Sequence, residues 1–125
     1  MKYLFQNAEL RKLIIDLNTI EQLYNEGIDS KGVRLGDYTT YTKSIKQSKG
    51  QRIDHITLSD TGDFYETFKV ILDGNAIRIT ANPFKEDTNL FKEFGFDILG
   101  LTEDSMSVLA TEALKLIKIK LRDVL

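Results

Sequence analysis

"FKVILDGNAIRITA", residues 68 to 81, is the stretch that decides the fold class. Val70 and Leu72 alternate before Asp73-Gly74, and Ile77 and Ile79 alternate after it. Alternation puts successive side chains on opposite faces of a strand, and Asp-Gly supplies the positive φ angles that tight hairpin turns require. A β-hairpin with Ile77 buried is therefore predicted. What flanks it has a different period.

Toward the N-terminus, Leu10, Leu13, Ile14, Leu17, Ile20, Leu23 and Tyr24 recur at steps of three and four, which lays one apolar stripe on a helix over Ala8 to Glu26. Asn7 is placed to cap it and Gly27 to end it. Toward the C-terminus, "FKEDTNLFKEFGFDILG" after Pro83 predicts a short helix ending at Gly95. A last helix starts at Thr102. Thr102 is its N-cap, Glu103 and Asp104 sit beside the positive end of the helix dipole, and Leu101 is placed to staple onto Met106. Met106, Leu109, Ala113, Leu114, Ile117 and Leu121 form its expected buried stripe, while Lys115, Lys118, Lys120 and Arg122 suit its C-terminal end. The expected fold is α+β: one small domain over residues 1 to 125, with long N- and C-terminal amphipathic helices packed on a small antiparallel sheet that contains the hairpin.

The remaining segment reads differently. "GIDSKGVRLGDYTTYTKSIKQSKGQR", residues 27 to 52, has few aliphatic residues and no sustained period, so residues 28 to 56 are expected to form a long basic surface loop with at most one helical turn. A loop this long within a small domain is more often functional or disordered than decorative. It carries Lys31, Arg34, Lys43, Lys46, Lys49 and Arg52, with Tyr38 and Tyr41 between them. Such a loop suits nucleic-acid phosphates with aromatic stacking on bases, and it suits an acidic protein surface equally well.

Composition removes several classes. Hydrophobic residues at 42% and charged residues at 29% are ordinary for a globular chain and exclude disorder along most of it. The net charge of -2 favours no partner. Without cysteine there is no disulfide, thiolate metal site or cysteine nucleophile, which fits a reducing compartment. No run reaches the 18 or so apolar residues of a membrane span, and the charged N-terminal stretch does not read as a signal peptide. His55 is the only histidine, so a multi-histidine metal site is excluded, and it reads as an exposed or capped loop residue. No cofactor is expected.

"LSDTGDF", residues 58 to 64, contains Asp-Thr-Gly, the core of the aspartic protease site. Asp63 stands where that motif wants alanine or serine, Ser59 replaces an apolar residue, and about 35 residues separate Gly62 from Ile98, too few for a flap and its strands. A dimeric aspartic protease using Asp60 is thus the lesser alternative. Asp60 and Thr61 read as a turn that bonds local backbone, with Gly62 in a conformation other residues resist. Asp60, Asp63 and Glu66 match no EF-hand spacing.

The two unusual stretches belong together. Leu35, Tyr38, Thr42 and Lys46 fall at steps of three, four and four, followed by Leu58, Asp60, Thr61, Gly62 and Phe64, then Thr67 and Phe68. This order resembles the phage virion morphogenesis and tail-completion (head-tail joining) proteins, in which tryptophan takes the place of Leu35. "ILGLTEDSMSVL", residues 98 to 109, is similar to that family's closing segment. The resemblance implies a non-enzymatic minor structural protein of a phage or prophage, acting at the head-tail junction or tail terminus through self-association into a ring and docking onto other head-tail or tail proteins. It implies a place in the virion, and in the host cytoplasm during assembly. The expected docking residues are Leu35, Tyr38, Tyr41, Thr42, Lys43, Lys46, Lys49 and Arg52, with the tyrosines as anchors and the basic residues as steering charge. A nucleic-acid-binding module using the same loop is the alternative, with DNA contact expected to be weak.

Overall fold

In the computed structural model, residues 8–59, 62–73, 76–85 and 88–124 are described, the side chains of 72–73 and 119–124 apart. Helix α1 (Ala8–Asp16) runs directly into a π-helical segment, Leu17–Glu26. Then come α2 (Thr40–Ser48), the short α3 (Asp63–Glu66), strands β1 (Lys69–Asp73) and β2 (Ala76–Thr80), a second small ladder of β3 (Phe84–Lys85) and β4 (Thr88–Asn89), α4 (Leu90–Phe94), one 3₁₀ turn (Phe96–Ile98) and α5 (Glu103–Val124). The class is α+β, as the change of period on either side of the hairpin predicts.

Gly27, with φ of 67°, ends the N-terminal helix in the left-handed cap expected of it. The helix buries most of the expected face and departs from it only in its second half. From Leu17 its backbone bonds to the fifth residue back, so each turn takes more residues and the inward face drifts around the axis. Leu10, Ile14, Leu17 and Leu23 stay buried, whereas Ile20 and Tyr24 turn outward, 46% and 36% exposed. Asn18, Thr19 and Gln22 turn inward in their place.

Those buried amides are fully used. Asn18 Nδ2 donates to the Ile98 carbonyl at 2.9 Å, and Gly100 N donates to Asn18 Oδ1 at 2.8 Å. One turn on, Gln22 Nε2 donates to the Gly100 carbonyl at 2.8 Å, and Thr102 N donates to Gln22 Oε1 at 2.9 Å. The two side chains thus grip residues 98–102 as a neighbouring strand would, and they set the start of α5. Thr102 caps that helix as expected, accepting from Ser105 N at 3.1 Å. Asn7, the expected cap of α1, lies outside the described residues.

Two apolar clusters make the core. Leu10, Ile14, Leu17, Val70 and Leu109 form one, where α1 meets β1 and α5. Leu23, Phe64, Phe68, Leu90 and Ile98 form the other, with the Phe64 and Phe68 rings edge to face at 5.0 Å. Ile79 borders both.

The hairpin is antiparallel as expected, pairing Val70 with Ile79 and Leu72 with Ile77. Asp73 itself pairs with Ala76, so the two positions between the strand ends are 74 and 75, which lie outside the described residues. The pairing thus takes Asp73 out of the Asp-Gly turn predicted from sequence. Ile77 is 37% exposed rather than buried, because a two-stranded sheet has only as much cover as its neighbouring helices supply. Leu114 and Met106 are corrected in the same way. Among the described side chains of the expected α5 stripe only Leu109 is buried, while Leu114 is 53% exposed and Met106 and Ile117 are also open to solvent. Leu121, also placed in that stripe, is among the residues whose side chains are not described. The short helix ending at Gly95 is present as α4, and Asn89 caps it by accepting from Phe91 N and Lys92 N.

Candidate docking surfaces

The basic segment is more ordered than a loop. It contains the nine-residue helix α2, begun by Thr39, whose hydroxyl accepts from Thr42 N at 3.2 Å. Propensity alone gives little hint of it, since three threonines and two serines in ten residues favour caps and turns. The signal was Thr39 as an N-cap followed by lysines every third residue.

The base of this arm is pinned to the core. Thr57, buried, is the hub: its N–H donates to the Tyr38 hydroxyl at 3.0 Å, its own hydroxyl lies 3.3 Å from the same oxygen, and its carbonyl accepts from the Tyr65 hydroxyl. Burial pushes the Tyr65 phenol well above the usual tyrosine range. Leu58, next along, is held at φ of 58°, a backbone conformation that non-glycine residues rarely adopt. His55, read from sequence as an exposed or capped loop residue, is buried rather than exposed. Its Nδ1 lies 3.2 Å from the Ile56 carbonyl and its Nε2 3.0 Å from that of Asn25, so the ring bridges the arm to the end of the first helix.

The eight expected docking residues separate into two groups. Leu35 is half-buried against the second cluster and donates its N–H to the Gly27 carbonyl at 2.9 Å. Tyr38 spends its hydroxyl on Thr57 and carries the Lys46 ammonium 4.7 Å above its ring. Arg52 forms a two-point pair with Asp54 at 2.6 and 3.0 Å and lies over the Tyr24 ring. That pair raises the guanidinium and lowers the Asp54 carboxyl from their ordinary values. Leu35, Tyr38 and Arg52 are therefore supports. Thr42 completes the cap of α2.

Tyr41 and Lys49 remain outward groups, and Lys43 is half-buried. Tyr41 is 77% exposed, and Ile45, one turn on, is also exposed. Lys43 and Lys49 have no ion pair among the described residues. Arg34 pairs with Asp37 at 2.7 Å and Lys31 with Asp97 at 3.4 Å, so much of the charge counted in the sequence is neutralised locally. Helix α2 contains no acidic residue; Tyr41 and Ile45 form an exposed apolar pair on it, and Lys43, Lys46 and Lys49 form a separate row in which Lys49 is exposed and the other two are half-buried.

A second surface was not legible as such. A groove of about 720 Å³ runs between β2 and α5, floored by Ile14, Ile79 and Leu109 and walled by Ile77, Met106 and Leu114. Ala110 and Ala113 line it at mid-length. Ile14, Met106, Leu109, Ala113, Leu114 and Ile117 among its lining residues are ones that periodicity assigned to buried stripes.

Asp60 and Thr61, expected to form a turn, lie outside the described residues. Gly62, at φ of 85°, opens α3, and Phe64 goes directly into the core. Among the described residues no three His, Cys, Asp or Glu side chains gather as metal ligands, and no helix is long and apolar enough to cross a membrane. No protein-family model, curated protein or solved structure matches this chain.

Proposed function

We propose that the protein is a non-enzymatic minor structural protein of a phage or prophage, working in virion assembly at the head-tail junction or tail terminus by self-association and docking. The resemblance of residues 30–110 to the tail-completion pattern motivates this reading. The observation that carries it is Tyr41, an aromatic exposed on a helix whose base is fixed to the core through Tyr38, Thr57 and His55. An exposed aromatic on a pre-positioned helix binds at low ordering cost, and aromatic anchors dominate interface energetics. The lysines beside it steer toward an acidic partner surface. The site then comprises Tyr41, Ile45, Lys43 and Lys49, with Leu35, Tyr38, Lys46 and Arg52 as its supports.

The lysine stripe of α2 favours one second reading, nucleic-acid binding. Each phosphate contact releases counterions, so DNA affinity would fall steeply with salt and the slope would shrink by roughly one unit per lysine removed. The experiment titrates DNA at several salt concentrations and compares protease cleavage across residues 43–52 before and after incubation with assembling head and tail fractions. Weak DNA binding without sequence preference, with cleavage suppressed on assembly, is the expected result. Tight, sequence-selective DNA binding that survives about 200 mM salt would replace docking by the second reading.

A further inference from the structure

We infer that two copies of this chain pair through the groove between β2 and α5, with their α5 helices antiparallel across a two-fold axis that passes between Thr111 and Glu112. This goes beyond the assembly reading and uses a separate surface, since no residue lining the groove belongs to α2 or its flanks.

The order of side chains along α5 is self-complementary. The groove-lining positions run Met106, Leu109, Ala110, Ala113, Leu114, Ile117: large, large, small, small, large, large. An axis between Thr111 and Glu112 sets Met106 of one copy against Ile117 of the other, Leu109 against Leu114, and Ala110 against Ala113. The small pair falls at the crossing point, where short side chains let helices approach most closely. An interface in which each residue meets its own counterpart's complement is what two-fold pairing requires.

Charge selects the same arrangement. Helix α5 opens with the exposed Glu103 and Asp104, and its later turns carry the exposed Lys115 and Lys118. Lys115 already faces Glu112 at 3.1 Å within the chain, which leaves Lys118 to reach across. Antiparallel pairing places the acidic end of each helix beside the lysine end of the other and also opposes the two helix dipoles favourably. A parallel pair would align like charges. The arrangement covers Leu114, Met106 and Ile117, which the monomer leaves in water.

The test uses the whole chain at tens of micromolar, with mass read by light scattering and folding by circular dichroism. The wild type should run at twice the chain mass. Leu114→Glu, at a position already 53% exposed, should keep the monomer's helical spectrum and run as a monomer. Glu103→Lys with Asp104→Lys should weaken pairing by roughly ten-fold, and adding Lys118→Glu should restore it, a rescue that mere damage to the helix start would not give. Because the chain has no cysteine, Met106→Cys combined with Ile117→Cys gives a direct register test. The two positions lie about 16 Å apart along one helix, too far to bridge within a chain. Oxidation should therefore yield covalent dimers from the double variant and from neither single one. A monomeric wild type, dimers that persist in Leu114→Glu, or single-cysteine variants that cross-link as well as the double would each overturn the pairing. None of these outcomes bears on docking through α2, which Tyr41→Ala and the assembly protection test address separately.

Discussion

Gly27 occupies its position for two reasons that act together. Its φ of 67° is costly for any other residue, and a Cβ there would come within 2.6 Å of the His55 ring. Gly27→Ala is therefore expected to destabilise the protein by about 1–3 kcal/mol, read as a lower urea midpoint at unchanged slope. Asn18 is the other residue whose identity the structure dictates. Asn18→Ala strands the Ile98 carbonyl and the Gly100 N–H in the interior, so a loss of about 2 kcal/mol or more is expected, well beyond the weak helix preference that the change would satisfy. Tyr65 sets a pH dependence. Its phenol is raised in the folded state by burial, so the unfolded chain ionises first, near the ordinary value of about 10. Below that pH its contribution to stability is fully present, and it is lost as the pH rises beyond it. Urea midpoints taken on both sides of that value should fall more steeply in the wild type than in Tyr65→Phe; equal slopes would remove Tyr65 as the cause.

At the scale of the element, α2 has no buried residue of its own. Tyr41→Ala should leave the melting temperature nearly unchanged, because a largely exposed side chain contributes within about 0.5 kcal/mol, while docking onto a partner falls. A drop of many degrees would show that Tyr41 packs internally. The elements themselves were legible where period and punctuation agreed: the hairpin from its alternation, the ends of the first helix and of α4 from Gly27 and Gly95, and the start of α5 from Thr102. The expectations that changed share a physical cause. A regular period of 3.6 places Ile20 and Tyr24 inside, and nothing local announces that the winding widens after Asp16, since that depends on Asn18 and Gln22 finding backbone partners some 80 residues away. In the arm, Tyr38 and Arg52 looked like free binding groups because their partners, Thr57 and Asp54, sit in a stretch that had no readable period. The Leu109-Leu114 stripe was found correctly as apolar; sequence does not say whether an apolar stripe is covered by its own chain.

For the whole molecule, the two clusters carry the stability, and the exposed walls of the groove, beyond its Ile14 and Leu109 floor, carry little of it. Ile98→Ala, at a fully buried site, should cost about 2–5 kcal/mol, and Leu114→Ala, assayed at sub-micromolar concentration, should cost well under half as much. Equal losses would mean that the groove is closed in the monomer. The grip of Asn18 and Gln22 on residues 98–102 has a consequence in time. The first helix is made early, yet the two amide side chains it buries, Asn18 and Gln22, do not meet their partners until the far end of the chain has been synthesised. While translation proceeds, Asn18 and Gln22 keep their water, and the face that holds Leu10, Ile14 and Leu23 lacks Leu109 and Ile98 as neighbours. Folding must therefore wait for the chain to leave the ribosome almost entire, and contacts of such long sequence separation make that final closure slow. A chain stalled on the ribosome at Asp97 should stay sensitive to protease throughout its first helix, whereas one extended past Val124 and clear of the exit tunnel should become protected in a single step.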